Sequence, residues 1–230
     1  MRNAYFHGAV LPVTPDGLLD VDSESESEEV EQARALFFST DRVLVAGGGM
    51  DWLALHLAAR CSFVLILEPI PYLHRLLVDN LYVDGSTMIV IRGAIGDTRR
   101  QQAFLIDDLW ALSRFSEDEA AAQPLVEVYD LRSLVEQAGI TGLALDVEGA
   151  ELKILLSLTA DLAQRLRRLL IKFHLFRLPP GSRERLVEHL FSLGYQESSS
   201  AEHRSNPRDP QAPDGPHVIV QSFVWGESHA

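Results

Sequence analysis

Gly47, Gly48 and Gly49 stand directly after the apolar run Arg42-Val-Leu-Val-Ala46. Glycines at the end of a first parallel strand let a ligand approach bare backbone at a helix N-terminus. Glu68 lies 21 residues beyond Gly47; it closes a second apolar run, Ser62 to Leu67, and is followed by Pro69. A carboxylate at that place can accept both hydroxyls of a ribose. Together the two features specify a nucleoside-containing cofactor far better than either alone. The plainer reading, a tight turn with no ligand, leaves the spacing of Glu68 unexplained.

The dinucleotide pattern G-x-G-x-x-G needs a third glycine for close helix packing. Here Trp52 takes that position, which argues against a pyrophosphate clamp. No G-x-x-x-x-G-K-[ST] is present, so a P-loop is excluded. The remaining common ligand is an adenosyl group without phosphate, S-adenosylmethionine.

A second segment reads Leu143-Ala-Leu-Asp-Val-Glu-Gly-Ala-Glu-Leu-Lys-Ile-Leu155. Asp146 ends its apolar half, so its carboxylate is expected at the same sheet edge as Gly47 and Glu68. Glu148 and Glu151 enclose Gly149 at the start of the next helix. Helix capping accounts for one acid there. It accounts less well for three.

The surrounding pattern alternates strands and helices. Helices are expected at Ser23–Phe38, Trp52–Arg60, Pro71–Asn80, Leu131–Ala138, Ala150–Leu158, Asp161–Arg168 and Ser182–Leu193. Strands are expected at Arg42–Ala46, Ser62–Leu67, Thr87–Ile91, Gly142–Asp146, Leu169–Phe176 and Val218–Val224, with Gln101–Ile106 as an added edge strand. Residues 1–22 read as an arm without period, 107–124 as a lid or insertion, and 199–216 as a proline-rich loop. Alternation of this kind predicts an α/β fold, a doubly wound parallel sheet covered on both faces. Right-handed crossovers bring the strand ends, and the ligand site, to one edge. The last strand arrives without a helix before it, which predicts an antiparallel hairpin. The expected organisation is an arm with an acidic helix over 1–40 and a single globular domain over 41–230.

Asp146-Val-Glu-Gly-Ala-Glu151 followed by Ile154-Leu155 resembles the signature of the FkbM family of S-adenosylmethionine-dependent methyltransferases. Glu68-Pro-Ile-Pro71 with Leu76 and Asn80, Gly93-Ala-Ile-Gly-Asp97, and Val126 to Leu134 resemble further segments of that family. The resemblance implies a class I methyltransferase (Rossmann-like) sheet of seven strands, mostly parallel, with the last antiparallel. It implies that Gly47, Gly48 and Gly49 pass the methionine portion, that Glu68, beside Pro69, holds the ribose, and that Gly93 and Ala94 lie near the adenine. Asp146 would face the sulfonium and the acceptor. The family methylates mainly hydroxyl oxygens of sugars and natural products.

Three positions depart from the family pattern. Its first strand usually carries an acid and its loop a later glycine; here those places hold Val45 and Asp51. Either Asp51 replaces the lost carboxylate from across the loop, or cofactor binding weakens. A later strand usually carries Glu and, two residues on, His; here it reads Lys172-Phe173-His174. Methyl transfer to a hydroxyl needs alignment and a base of suitable pKa. The expected catalytic residues are therefore Asp146, Glu148 and His174. The base is His174, the better candidate by residue type, or Asp146, which could instead orient the acceptor and which partners the sulfonium charge. The other seven histidines show no ligand spacing, and no HExxH or paired-cysteine pattern occurs, so no metal is expected.

Net charge is −13 over 230 residues. Seven acids lie between Asp20 and Glu31 without a basic residue; a solvated helix start is the expected role. An acidic chain disfavours nucleic acid. No apolar run approaches the roughly 20 residues of a membrane span, and the first residues lack a signal-peptide pattern, so a cytoplasmic protein with a hydroxylated small-molecule acceptor is expected. Cys61 is the single cysteine and cannot form an internal bridge. A homo-oligomer stays open. Two other functional classes stay open as well: a non-catalytic binding protein on a degenerate methyltransferase fold, and a nicotinamide-dependent oxidoreductase.

Overall fold

The computed structural model describes residues 4–6, 9–11, 24–47, 52–80, 82–83, 87–106, 113–116, 124–203 and 218–226. The elements run β1 (Ala4–Phe6), β2 (Ala9–Leu11), α1 (Glu24–Leu36), β3 (Arg42–Ala46), α2 (Trp52–Arg60), β4 (Phe63–Glu68) and α3 (Pro71–Asn80). Next come β5 (Tyr82–Val83), β6 (Met88–Arg92), β7 (Ala94–Gly96), β8 (Arg100–Leu105), β9 (Arg114–Phe115), β10 (Leu125–Asp130) and α4 (Leu131–Ala138). The remainder is β11 (Gly142–Leu145), α5 (Glu151–Leu156), α6 (Ala160–Arg165), β12 (Arg168–His174), a 3-10 turn (Leu175–Arg177), α7 (Ser182–Ser192), β13 (Tyr195–His203) and β14 (Val218–Trp225).

Seven strands form the main sheet in the order β13-β14-β12-β11-β3-β4-β6. Strands β12, β11, β3, β4 and β6 are parallel. β14 is antiparallel to both β12 and β13. This is the sheet expected for a class I methyltransferase, with the antiparallel hairpin at one edge. The central strands are apolar on both faces because both faces are covered. Val43, Val45, Val64 and Ile66 pack with Ala33, Phe37, Leu53 and Leu57 of the α1–α2 side. Leu44, Leu65, Leu143, Leu145 and Ile171 pack with Leu131, Ile154, Leu155, Leu162 and Leu186 of α4 to α7. Successive side chains of β3 therefore serve opposite layers, as strand geometry requires.

Two local devices set the sheet's register. Asp41, just before β3, is buried and accepts hydrogen bonds from the Phe38 N–H at 2.8 Å, the Thr141 hydroxyl at 3.0 Å and Arg168 at 2.8 Å. It thus ties the end of α1 to the starts of β11 and β12. α4 is capped by Asp130, whose carboxylate accepts from the Ser133 N–H at 2.8 Å, and ends at Gly139 in the left-handed region.

Several expectations need correction. Gln101–Ile106 does not extend the main sheet. As β8 it lies inside a second, four-stranded sheet of order β7-β10-β8-β9. Gly93 causes the departure: a Cβ there would come within 2.5 Å of the Tyr129 ring, so only glycine lets the chain turn from β6 into β7 against β10. β10 itself is a strand absent from the expected set. Residues 199–203, expected in a loop, complete β13, and residues 204–216 lie outside the described residues. Of the expected lid at 107–124, residues 113–116 are described and contain β9. The N-terminal arm is not irregular throughout: β1 pairs antiparallel with β2 and β5. Among the described residues, no helix is long and apolar enough to cross a membrane.

Candidate active site

The ends of β6, β4, β3 and β11 meet at one rim. Gly47 sits at φ +85°, and a Cβ on it would fall 1.7 Å from the Asp146 carbonyl oxygen. Any side chain there is barred twice, by backbone conformation and by contact. The Gly47 N–H donates to the Leu67 carbonyl at 3.0 Å, and the Asp146 N–H donates to the Ala46 carbonyl at 3.0 Å. The Gly93 N–H donates to the Glu68 carbonyl at 3.1 Å. Gly47, Glu68, Gly93 and Asp146 are thus stitched together by backbone, with Pro69 and Ala94 as immediate neighbours. Gly48, Gly49 and Asp51 lie outside the described residues.

Glu68 is buried at the end of β4. Its Oε1 accepts the Ile70 N–H at 2.7 Å, which fixes the carboxylate at the rim. The Tyr72 hydroxyl, at the start of α3, is pushed up by burial and by the Glu68 charge.

Beside the rim lies a cluster of ionisable groups. Asp146 Oδ2 accepts from Lys172 Nζ at 2.7 Å, and Lys172 also reaches Glu29 of α1 at 3.4 Å. His174 Nε2 lies 3.1 Å from Glu148 Oε1 and 3.4 Å from Asp146 Oδ1. Its Nδ1 lies 2.8 Å from Oε1 of Glu151, a fully buried carboxylate at the start of α5. Arg177 holds Glu148 Oε2 at 3.4 Å. The structure therefore brings Asp146 and Glu148, from the turn after β11, together with His174 at the end of β12.

Charge follows from these contacts. Burial works against the charged imidazole of His174. Hydrogen bonds to Glu148 and Glu151, with the charges of Glu151 and Asp146, override it and raise the group to about 10. Burial alone would raise Asp146 too, yet Lys172 and then His174 hold its carboxyl below the usual range. Burial pushes the Glu29 carboxyl up despite the nearby Lys172. At neutral pH the group so raised carries its proton, and His174 stands as a donor rather than an acceptor.

The turn that presents Glu148 is strained. Glu148 has φ +49°, the only positive φ of a non-glycine residue among the described residues, and Gly149 follows at φ +101°. Such a conformation costs on the order of 1–3 kcal/mol and persists where the surroundings enforce it. A Cβ on Gly149 would meet the Arg177 side chain at 2.9 Å. Gly149 of the sequence motif is thus a geometric requirement of this turn, whereas Glu148 is held there against its backbone preference.

Sequence reasoning gives Arg177 no role, places Glu29 on a solvated helix start, counts Glu151 among three clustered acids without a part of its own, and meets Lys172 only as a departure. Glu29 has a signal: it precedes Ala33 by four residues and Leu36 by seven, in phase with the buried stripe of α1. It is buried, while Glu31 is exposed. The expectation of a solvated acidic face fails at Glu29 because its carboxylate has Lys172 to face.

The family model for the methyltransferase FkbM domain matches residues 50–201. Among solved structures, a methyltransferase FkbM from Methylobacillus flagellatus KT is similar over 80% of this chain, with TM-score 0.50 and 14% identity. The match covers 44% of that protein, so this chain spans less than half its length. A protein assigned as an RNA methyltransferase, from Pyrococcus horikoshii, is similar over 90% of this chain and 86% of its own, with TM-score 0.51 and 12% identity. At such identities the likeness is one of fold. No protein of curated function matches the sequence significantly.

Proposed function

The chain belongs to the methyltransferase FkbM domain family, and from that premise we propose that it transfers a methyl group from S-adenosylmethionine to a hydroxyl oxygen of a small molecule, a sugar or a natural product. The observation that carries the reading is the contact of Gly47 with the Asp146 carbonyl. It sets the glycine turn, where a cofactor can lie on bare backbone, directly against the carboxylate cluster.

The rim suits an adenosyl ligand. Gly47 brings the turn after β3 against the Asp146 backbone, which fills the place of a Cβ, and the buried, fixed carboxylate of Glu68 suits a ribose. Gly93 and Ala94 flank it on the adenine side. S-adenosylmethionine supplies a methyl group on a cationic sulfur that is already a strong electrophile. What remains for the chain is to align the acceptor oxygen and balance charge. Asp146, kept ionised by Lys172, provides negative charge for the sulfonium. Glu148 and His174 border the space beside it. The net charge of −13 supports a small acceptor over nucleic acid, whose binding draws on basic surface.

Calorimetry with S-adenosylmethionine tests the cofactor, with binding expected and silence at millimolar ligand defeating the proposal. Isotope transfer from labelled cofactor to a panel of hydroxylated acceptors tests the reaction. A non-catalytic binding protein on this fold is the reading that Lys172 favours, since its ammonium already neutralises Asp146. Turnover of any acceptor removes that alternative.

A further inference from the structure

We propose that Asp146, Glu148 and His174 form a site for one divalent first-row cation, typified by Mn2+, which would hold the oxygen of the methyl acceptor. The proposal rests on the methyltransferase reading for its use of the cation, though not for the site itself. Sequence spacing carries no sign of it, because His174 on β12 lies far along the chain from Asp146 and Glu148 in the turn after β11.

The geometry is that of a three-ligand face. The candidate donor atoms lie within 4.8 Å of one another. His174 Nε2 stands 3.1 Å from Glu148 Oε1 and 3.4 Å from Asp146 Oδ1. Adjacent ligands of an octahedral ion with bonds of about 2.1 Å sit about 3 Å apart, which the two distances from His174 already approach. Each ligand is also held from behind. Asp146 is held through Oδ2 by Lys172, Glu148 through Oε2 by Arg177, and His174 through Nδ1 by Glu151. A carboxylate on the far nitrogen is the arrangement that orients ligating histidines and raises their basicity. Glu151 serves the imidazole alone, for its other oxygen, Oε2, is buried with no hydrogen-bond partner among the described residues.

Charge points the same way. Glu29, Asp146, Glu148 and Glu151 face Lys172 and Arg177. With a neutral imidazole the group is two charges negative, the amount a divalent ion cancels. Two carboxylate oxygens and one imidazole nitrogen suit Mn2+ or Fe2+, and leave coordination positions open.

A bound hydroxyl is more acidic than a free one. The acceptor's O–H would release its proton to solvent. The oxygen, kept on the cation, would form the new O–CH3 bond as the C–S bond breaks and its electron pair stays on sulfur. Such a site selects acceptors that chelate, with a hydroxyl next to a second oxygen.

The test uses the full chain, stripped with chelator and titrated with Mn2+ by electron paramagnetic resonance and calorimetry. One Mn2+ per chain is expected. Glu151→Gln, which touches no ion, should weaken it by about 10–100-fold, and His174→Asn by at least as much. Glu148→Gln, at a half-buried position, serves as a second ligand variant, and melting curves confirm that each variant folds. No bound Mn2+ at millimolar concentration, or equal binding by folded H174N and E148Q, overturns the site. S-adenosylmethionine binding measured on the same samples separates the two claims. Cofactor binding without Mn2+ binding removes the cation alone. Mn2+ binding without cofactor binding removes the methyltransferase reading and leaves the site.

Discussion

Gly47 concentrates the most constraint in the fewest atoms. Its left-handed φ and its contact with the Asp146 carbonyl mean that Gly47→Ala must move β3 from β11. We expect this variant to lose more than about 1 kcal/mol of stability, read from denaturant unfolding, and to lose cofactor binding in calorimetry. Glu68→Ala should weaken S-adenosylmethionine by about 1–3 kcal/mol, the range for hydrogen bonds to a charged group. Unchanged affinity would mean that Glu68 does not touch the ribose. Both residues are legible in the sequence, because a glycine turn and an acid after the second strand are local features with a fixed spacing. Lys172 is visible there only as an oddity. Its meaning depends on Glu29, which lies 143 residues away, and no local pattern pairs the two.

Whole elements are legible where burial imposes a period. The central strands β3, β4 and β11 are largely apolar runs, as is β12 from Leu169 to Ile171, and α2, α3 and α4 match their expected limits. β13 escapes notice because its sequence, YQESSSAEH, is that of a polar edge strand, which carries little apolar alternation. β10 does alternate, with Val126 and Val128 buried, but its partners are β7 and β8 of a sheet that the sequence does not suggest. The capping of α4 is local and should behave so. Asp130→Ala is expected to cost about 1 kcal/mol in thermal unfolding and to leave cofactor affinity unchanged. α1 is anchored differently. Phe37 is fully buried, and its ring occupies the space a Cβ on Gly142 would take, 2.5 Å away. Phe37→Ala should therefore cost about 3–5 kcal/mol, seen as a lowered denaturation midpoint.

For the molecule as a whole, the family match begins at residue 50, yet α1 supplies core side chains and the Glu29 carboxylate. A chain beginning at residue 41 would uncover Val43, Val45 and Leu53. We expect it to bind hydrophobic dyes and to lose cooperative melting, whereas a sharp transition would show that residues 41–230 fold by themselves. The overall architecture is readable because strand–helix alternation admits few topologies. The second sheet is not, since it hangs on one glycine bend. The register of β12 carries a last implication. This strand bears Lys172 and His174, and its outer edge pairs with β14 from Arg168↔Val224 to His174↔Val218. During synthesis β12 leaves the ribosome well before that neighbour exists, so its outer hydrogen-bonding groups wait uncovered. The histidine and lysine are expected to settle only when a later segment inserts between β12 and β13, which would make the assembly of the candidate site a late event in the life of each new molecule.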